Sequence, residues 1–137
     1  MKAEDLVGEW KISRTVRSPD GKAQGSMQGV GHFRPLEKNQ LLYEEELWHQ
    51  TEQKAHYRAR KWYRYEFLTD RVLIYFHNEE KGRLFLTIPL REMRGEAMCN
   101  QDQYILTWEW RSKSCYLTRY LIRGPKKNTL IESECIR

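Results

Sequence analysis

Residues 103–110 read QYILTWEW, a segment in which large apolar side chains occupy every second position. One parity holds Tyr104, Leu106, Trp108 and Trp110. Because successive side chains of a β-strand point to opposite faces, this period of two predicts a strand with one buried face. The segment therefore indicates β-structure and not a helix.

The same period recurs along the chain. Strands are predicted at residues 10–16, 25–34, 41–48, 57–67, 72–76, 84–88, 103–110, 116–122 and 129–137. Turns or polar loops are predicted between them, at residues 18–21, 34–39, 50–54, 69–70, 78–82, 91–95, 111–114 and 124–128. Pro89 lacks an amide hydrogen, so it is expected to end its strand or to lie at a sheet edge.

Short connections between consecutive strands favour an antiparallel meander, and about nine or ten such strands remove their exposed edges by closing into a barrel. We therefore predict an all-β, antiparallel up-and-down β-barrel that forms a single domain over residues 1–137. Residues 3–7 are expected to form a short helical turn before it. Gly29 and Gly31 inside a strand indicate sharp bending. A β-sandwich is the alternative architecture.

The composition excludes some classes of protein. Hydrophobic residues make up 39% of the 137 residues and aromatic residues 12%, which is far from the composition of a disordered chain. No apolar run approaches the ~18 residues of a membrane-spanning helix. Glu4 and Asp5 stand where a secretory signal would need apolar residues, so we expect a cytoplasmic protein.

Cysteine and histidine residues are sparse. Cys99, Cys115 and Cys135 are an odd set, which favours reduced thiols. Cys99 would need a neighbouring base to act as a nucleophile, and none of the four histidines is placed beside it by sequence. We expect a loop or core thiol there, and neither a metal site nor a cofactor.

Three charged residues share parity with the apolar face of their strands: Arg14, Glu45 and Lys61. Burying a charge is costly unless it is paired. One interpretation is a polar cavity in which Arg14 and Lys61 hold an anionic ligand group while Glu45 pairs with one of them. The other interpretation is a buried structural ion pair, or a bulge that turns these residues outward.

The cavity interpretation predicts the remaining ligand-binding residues from the aromatic strand faces. Tyrosines there would supply hydroxyl groups and stacking surface to a flat ligand. The candidates are Tyr43, Tyr63, Tyr65, Tyr104 and Trp108.

Two other function classes stay open from the sequence. An enzyme of the cyclase, isomerase or lyase type could use Tyr63, Glu45 or Asp102 as its acid or base. A binder of single-stranded nucleic acid could use basic and aromatic residues as a stacking platform. The residues for that platform are Trp48, Arg58, Arg60, Trp62 and Arg64. The chain has a net charge of +5, but acidic residues are interspersed among the basic ones, which argues against nucleic-acid binding.

Several short motifs occur in order along the chain. They are LVGEW at residues 6–10, LYxE at 42–45, YxYxF at 63–67, CxxDxY at 99–104 and GPKK at 124–127. As a set they resemble an uncharacterised family, the domain of unknown function 6314. Gly8-Glu9-Trp10 also resembles the Gly-x-Trp signature of lipocalins and the wider calycin superfamily.

This resemblance implies a calycin-like barrel and no established activity. It also implies that Trp10 closes one barrel end beneath a basic residue from the end of the chain. The candidates for that residue are Arg123, Lys127 and Arg137. Taken together, we expect a protein that holds an amphipathic, aromatic or anionic small molecule inside the barrel, without turnover. Homo-oligomerisation is left open.

Overall fold

The computed structural model describes residues 1–18, 20–50, 56–77 and 82–137. It contains helix α1 (Ala3–Leu6) and the strands β1 (Gly8–Arg17), β2 (Ala23–Pro35), β3 (Gln40–Gln50), β4 (His56–Phe67), β5 (Arg71–Phe76), β6 (Leu84–Pro89), β7 (Arg94–Cys99), β8 (Asp102–Ser112), β9 (Cys115–Arg123) and β10 (Asn128–Ile136). The connections predicted at residues 18–21, 50–54 and 78–82 fall wholly or partly outside the described residues.

Ten antiparallel strands form one sheet in the order β6-β5-β4-β3-β2-β1-β10-β9-β8-β7. The first strand pairs with the last, from Lys11 opposite Ile136 to Arg17 opposite Leu130, which curls the meander into a nearly closed barrel. Between β6 and β7 the described residues form no backbone ladder. The predicted antiparallel up-and-down barrel with a short N-terminal helical turn is therefore confirmed.

The gap between β6 and β7, which we name the seam, is flanked by two short strands whose sequences explain their positions. Pro89 ends β6 at the edge of the sheet, as predicted from its missing amide hydrogen. The predicted loop at residues 91–95 is wrong at its end, because β7 already begins at Arg94. This strand turns Gly95, Ala97 and Cys99 inward and exposes Met98. Because the inward residues of β7 are small, its sequence does not show the alternation of large apolar and polar residues that predicts a strand.

The barrel has two unlike ends. At the helix end, α1 and the turn at residues 113–114 close over Trp10, whose indole nitrogen donates to Leu6 O at 2.8 Å. The mouth end carries Ser18, residues 20–22 and the connections at residues 100–101 and 124–127. Buried apolar side chains fill the barrel from the helix end upward. No helix in the described part of the chain is long and apolar enough to cross a membrane.

Candidate functional site

A buried charged network lies at mid-height in the barrel. The Arg14 guanidinium donates to both carboxylate oxygens of Glu45, Nη1 to Oε1 at 3.1 Å and Nη2 to Oε2 at 2.9 Å. Arg14 Nε donates to Ser133 Oγ at 2.7 Å, and Tyr43 Oη donates to Glu45 Oε2 at 3.0 Å. Glu45 is only 3% exposed. Two opposite charges thus satisfy each other in a site largely closed to water.

Glycines in the intervening strand make this pairing feasible. Arg14 lies on β1 and Glu45 on β3, so β2 runs between them. Gly29 and Gly31 are the inward positions of β2 at this height, and they carry no side chain to block the guanidinium. Two inter-strand spacings separate β1 from β3, about 10 Å, which a long arginine side chain spans. The glycines predicted to bend the strand also open this path.

Below and beside the network lies a small cavity of about 70 Å³, which we name the inner cavity. Its walls include tyrosines from three parts of the barrel: Tyr43, Tyr63, Tyr65, Tyr116 and Tyr120. Since a liquid water occupies about 30 Å³, the inner cavity has room for about two waters or one small polar group. It is too small for a whole organic ligand.

The hydroxyl groups in the inner cavity fall into two kinds. Tyr43 donates to Glu45, and burial, with a smaller contribution from the Cys135 thiol, raises the pKa of Tyr116. The hydroxyls of Tyr63, Tyr65 and Tyr120 make no hydrogen bond with any residue in the described ranges. These three phenols are free to bind water or a ligand.

A larger pocket opens above, at the mouth end, with a volume of about 270 Å³. We name it the mouth pocket, and it shares Lys61 and Tyr63 with the inner cavity. Its other lining residues are Trp62, Phe76, Phe85, Cys99 and Tyr104. It lies against the seam, because Phe85 belongs to β6 and Cys99 to β7.

Phe85 is the central ring of the mouth pocket. Its centroid lies 4.6 Å from Phe76, 5.4 Å from Tyr104 and 6.4 Å from Tyr120. It also stacks on Tyr63 at 6.3 Å, with the two planes 18° apart. The planes of Phe76 and Tyr120 also lie within 29° of the Phe85 plane, whereas Tyr104 meets it edge-on at 79°. Such aromatic walls suit a flat aromatic molecule.

The predicted ligand-binding residues separate into four groups. Arg14, Glu45, Tyr43 and Tyr65 lie around the inner cavity, Tyr104 lines the mouth pocket, and Tyr63 lines both. Lys61 also lines both, but its side chain is exposed and does not pair with Glu45. Trp108 lines neither, because it stacks on Tyr116 at 4.4 Å in the packed helix end.

Sequence analysis did not predict four of the residues that line the mouth pocket as ligand-binding residues. Phe76 comes from β5 and Phe85 from β6, and Trp62 and Cys99 come from β4 and β7. A period of two places Phe76 on an inward face, yet it does not distinguish a pocket wall from a packed core.

Of the three basic residues considered for the closed end, Arg137 stacks on Trp10, with its guanidinium carbon 4.3 Å from the ring centroid. Its nitrogens donate to Val7 O at 2.9 Å and to Asp5 O at 2.8 Å, which holds α1 in place. β9 begins near Trp10, which Tyr116 contacts, and ends at Arg123 at the opposite end of the barrel. Arg123 and Lys127, in the connection that follows β9, therefore lie at the mouth end.

The residues considered for nucleic-acid stacking lie on the outer face of β3 and β4. Arg60 contacts Glu44 at 2.9 Å, and Arg58 contacts Glu46 at 3.2 Å. Trp48 lies opposite Arg58 and Trp62 opposite Glu44, so four residues of strand, about 13 Å, separate the two indoles. Acids neutralise this face, and its rings do not adjoin.

The acid–base candidates differ in their surroundings: the Tyr63 hydroxyl has no hydrogen-bond partner among the described residues, whereas Glu45 and Asp102 are each held by neighbours. Glu45 accepts three hydrogen bonds within its network. Asp102 lies at the tight turn against Gly124, where its carboxylate occupies the space that a side chain at Gly124 would need. Among residues 1–18, 20–50, 56–77 and 82–137, no group of three metal-ligating side chains comes together.

The buried tyrosines predict a loss of stability at high pH. Burial, followed by the negative charge of Glu45, raises the pKa of Tyr63 to about 12. Burial also raises the pKa of Tyr43, Tyr65 and Tyr120 well above the usual tyrosine value. In the unfolded chain these phenols ionise near pH 10. The native state therefore retains protons that the unfolded state releases.

We expect the free energy of unfolding to be insensitive to these groups below pH 10 and to fall as the pH rises from 10 through 12. Urea unfolding at intervals between pH 8 and 11.5 measures this, with phenolate absorbance recorded alongside. Tyr63→Phe should reduce the slope above pH 10. An unfolding free energy that stays level across this range would contradict the raised pKa values.

Comparison with solved structures places the fold among known barrels. The S-type phycobiliprotein lyase CPES from Guillardia theta superposes with a TM-score of 0.61 at 7% identity, covering 98% of this chain and 89% of that one. The barrel EF1p2_mFAP2b, bound to DFHBI, superposes with a TM-score of 0.50 at 13% identity, covering 98% of this chain and 95% of that one. At such identities the likeness concerns the fold. None of the curated proteins matches this sequence.

The ordered motifs and the barrel geometry agree with the family match. That match runs over residues 6–137, from the buried Leu6 of α1 to Arg137 above Trp10. The chain belongs to the family of unknown function DUF6314.

Proposed function

We propose that this protein binds a flat, amphipathic organic molecule whose aromatic part lies in the mouth pocket. The observation that carries the proposal is a space of about 270 Å³ walled by the rings of Tyr63, Phe76, Phe85 and Tyr104. Apolar walls with a few polar groups are typical of small-molecule sites. Burying a flat ring there would remove apolar surface from water on both partners.

The polar groups at the mouth pocket support an amphipathic ligand over a purely apolar one. Lys61 is exposed at the rim and shared with the inner cavity, so a ligand could bury its ring and keep a polar group near the ammonium. EF1p2_mFAP2b, a barrel of similar fold, holds the small molecule DFHBI. That similarity supports ligand binding as a use of this fold.

Glu45 is a poor candidate for a catalytic base. The Arg14 guanidinium binds both of its oxygens, and Tyr43 donates to the same carboxylate. A base must be free to take a proton from a bound substrate. Binding without turnover is therefore the function that we propose.

Filling the mouth pocket tests this proposal. Cys99→Phe adds a ring inside the pocket, and Met98→Phe adds the same ring on the outer face of β7, where Met98 is 67% exposed. With 2-naphthamide as a neutral flat probe, calorimetry should show saturable 1:1 binding to the unmodified chain and to Met98→Phe. We expect Cys99→Phe to weaken binding at least tenfold. Native mass spectrometry of protein purified from its host should show a retained small molecule.

Two results would refute the proposal. One is the absence of saturable binding together with an empty protein from the host. The other is an equal affinity of the probe for Cys99→Phe and the unmodified chain, which would place any binding outside the mouth pocket. Circular dichroism of both variants checks that the barrel is intact.

A further inference from the structure

We infer that the inner cavity is a subsite for a planar anionic head group, so that the ligand is an aromatic carboxylate oriented with its carboxylate inward and its ring in the mouth pocket. This inference rests on the proposed function and extends it to a chemical class and an orientation. It follows from the hydrogen-bonding groups that the protein leaves unused around the inner cavity.

Several hydrogen-bond donors around the inner cavity have no partner among the described residues. Arg14 has five N–H groups, of which three are bound to Glu45 and Ser133. The other two have no acceptor among the described residues. The phenols of Tyr63, Tyr65 and Tyr120 add three more hydroxyl donors.

The Glu45 carboxylate, which is the negative group of the network, already accepts hydrogen bonds from the protein. Both oxygens of Glu45 accept bonds, and Oε2 accepts from Arg14 and Tyr43. Lys61 lines both spaces and adds a positive charge that has no ion-pair partner within the described part of the chain. With Arg14 and Glu45 cancelling, the lining has a net positive charge. A cationic head would meet repulsion from Lys61, whereas a carboxylate offers about four acceptor sites to these donors.

The volumes of the two spaces set the position of each part of the ligand. A space of about 70 Å³ accommodates a carboxylate but not a ring, and about 270 Å³ accommodates a ring system. Since Lys61 and Tyr63 line both, one molecule can span them. Hydrogen bonds from Tyr65 and Tyr120 to the carboxylate would be charge-assisted, and therefore stronger than neutral ones.

A matched pair of probes separates the head group from the ring. 2-Naphthoate and 2-naphthamide have the same ring and nearly the same shape, but only the first is anionic at pH 7. We expect calorimetry to show that naphthoate binds at least tenfold more tightly, since hydrogen bonds to a charged group are stronger than neutral ones. Tyr65→Phe and Tyr120→Phe should each reduce this preference at least threefold, because each variant should weaken naphthoate binding more than naphthamide binding.

Tyr75→Phe is the control, because it removes a phenol hydroxyl from the outer face, where that group bonds to Glu66. It should leave both affinities unchanged. Equal binding of the two probes to the unmodified chain would overturn the head-group inference while the proposed function stands. A naphthoate preference that survives both Tyr65→Phe and Tyr120→Phe would also overturn it, since the anion would then lie elsewhere. If neither probe binds and the protein purified from its host carries no small molecule, the proposed function itself fails.

Discussion

Glu45→Leu is expected to lower the free energy of unfolding by about 3 kcal/mol, which corresponds to a fall of roughly 10 °C in Tm for a domain of this size. The reason is the charge left behind. Without Glu45, the Arg14 guanidinium keeps only its bond to Ser133 in a site that it can hardly leave. Its side chain is 17% exposed, so limited rehydration keeps the loss at the lower end for a broken buried pair.

Two variants control this prediction. Replacing both partners, in Arg14→Met with Glu45→Leu, should recover most of the lost stability, because the buried charge is then absent. Glu132→Leu breaks a pair with Arg119 that has the same 2.9 Å contact but lies on the surface, and it should cost less than about 1 kcal/mol. Urea unfolding of all three measures the differences. A double variant as unstable as the single one would show that packing, and not charge, explains the loss.

Gly29→Ala is expected to cost about 3 kcal/mol, or to prevent folding, although it adds a single methyl group. A Cβ at Gly29 would collide with the Glu46 carbonyl oxygen and come within 2.8 Å of Leu47 Cα. Both are backbone atoms of β3, so no side-chain rotation relieves the clash. The β2–β3 ladder would have to move, and with it the alignment of Arg14 and Glu45.

Gly25→Ala provides the control for the glycine prediction. This glycine lies on the same strand, and a Cβ there would meet no atom within 4 Å. We expect a change within about 0.5 kcal/mol, as for most surface substitutions. Thermal unfolding of the two variants compares the positions directly. Similar losses at Gly25 and Gly29 would mean that strand propensity, and not the approach of β3, governs both.

The fold was predictable because a strand buried on one face alternates apolar and polar residues in its sequence. Clean alternation at residues 103–110 corresponds to β8, whose Leu106 and Trp108 are buried. The prediction failed at β7, where the inward positions are Gly95, Ala97 and Cys99. At the seam, a Cβ added at Gly95 would lie 2.5 Å from Thr87 O, so a larger residue does not fit at this position. Small residues carry no hydrophobic period.

The site was predictable only in part. Parity correctly placed Arg14 and Glu45 inside the barrel, because a charge on an apolar strand face needs a partner within it. Parity gives no distance between strands, so it could not show that Arg14 reaches across β2. Nor could it separate Trp108, packed on Tyr116, from Phe85 at the mouth pocket.

The sequence alone determined most of the strands, their faces and the antiparallel order, since these follow from local alternation and short connections. It also indicated which charged residues share parity with the apolar strand faces. The tertiary structure decided which of those groups pair, which rings fill the helix end, and where space remains for a ligand. Pairing and packing depend on how ten strands curve around one another, and curvature arises from contacts between residues far apart in the chain.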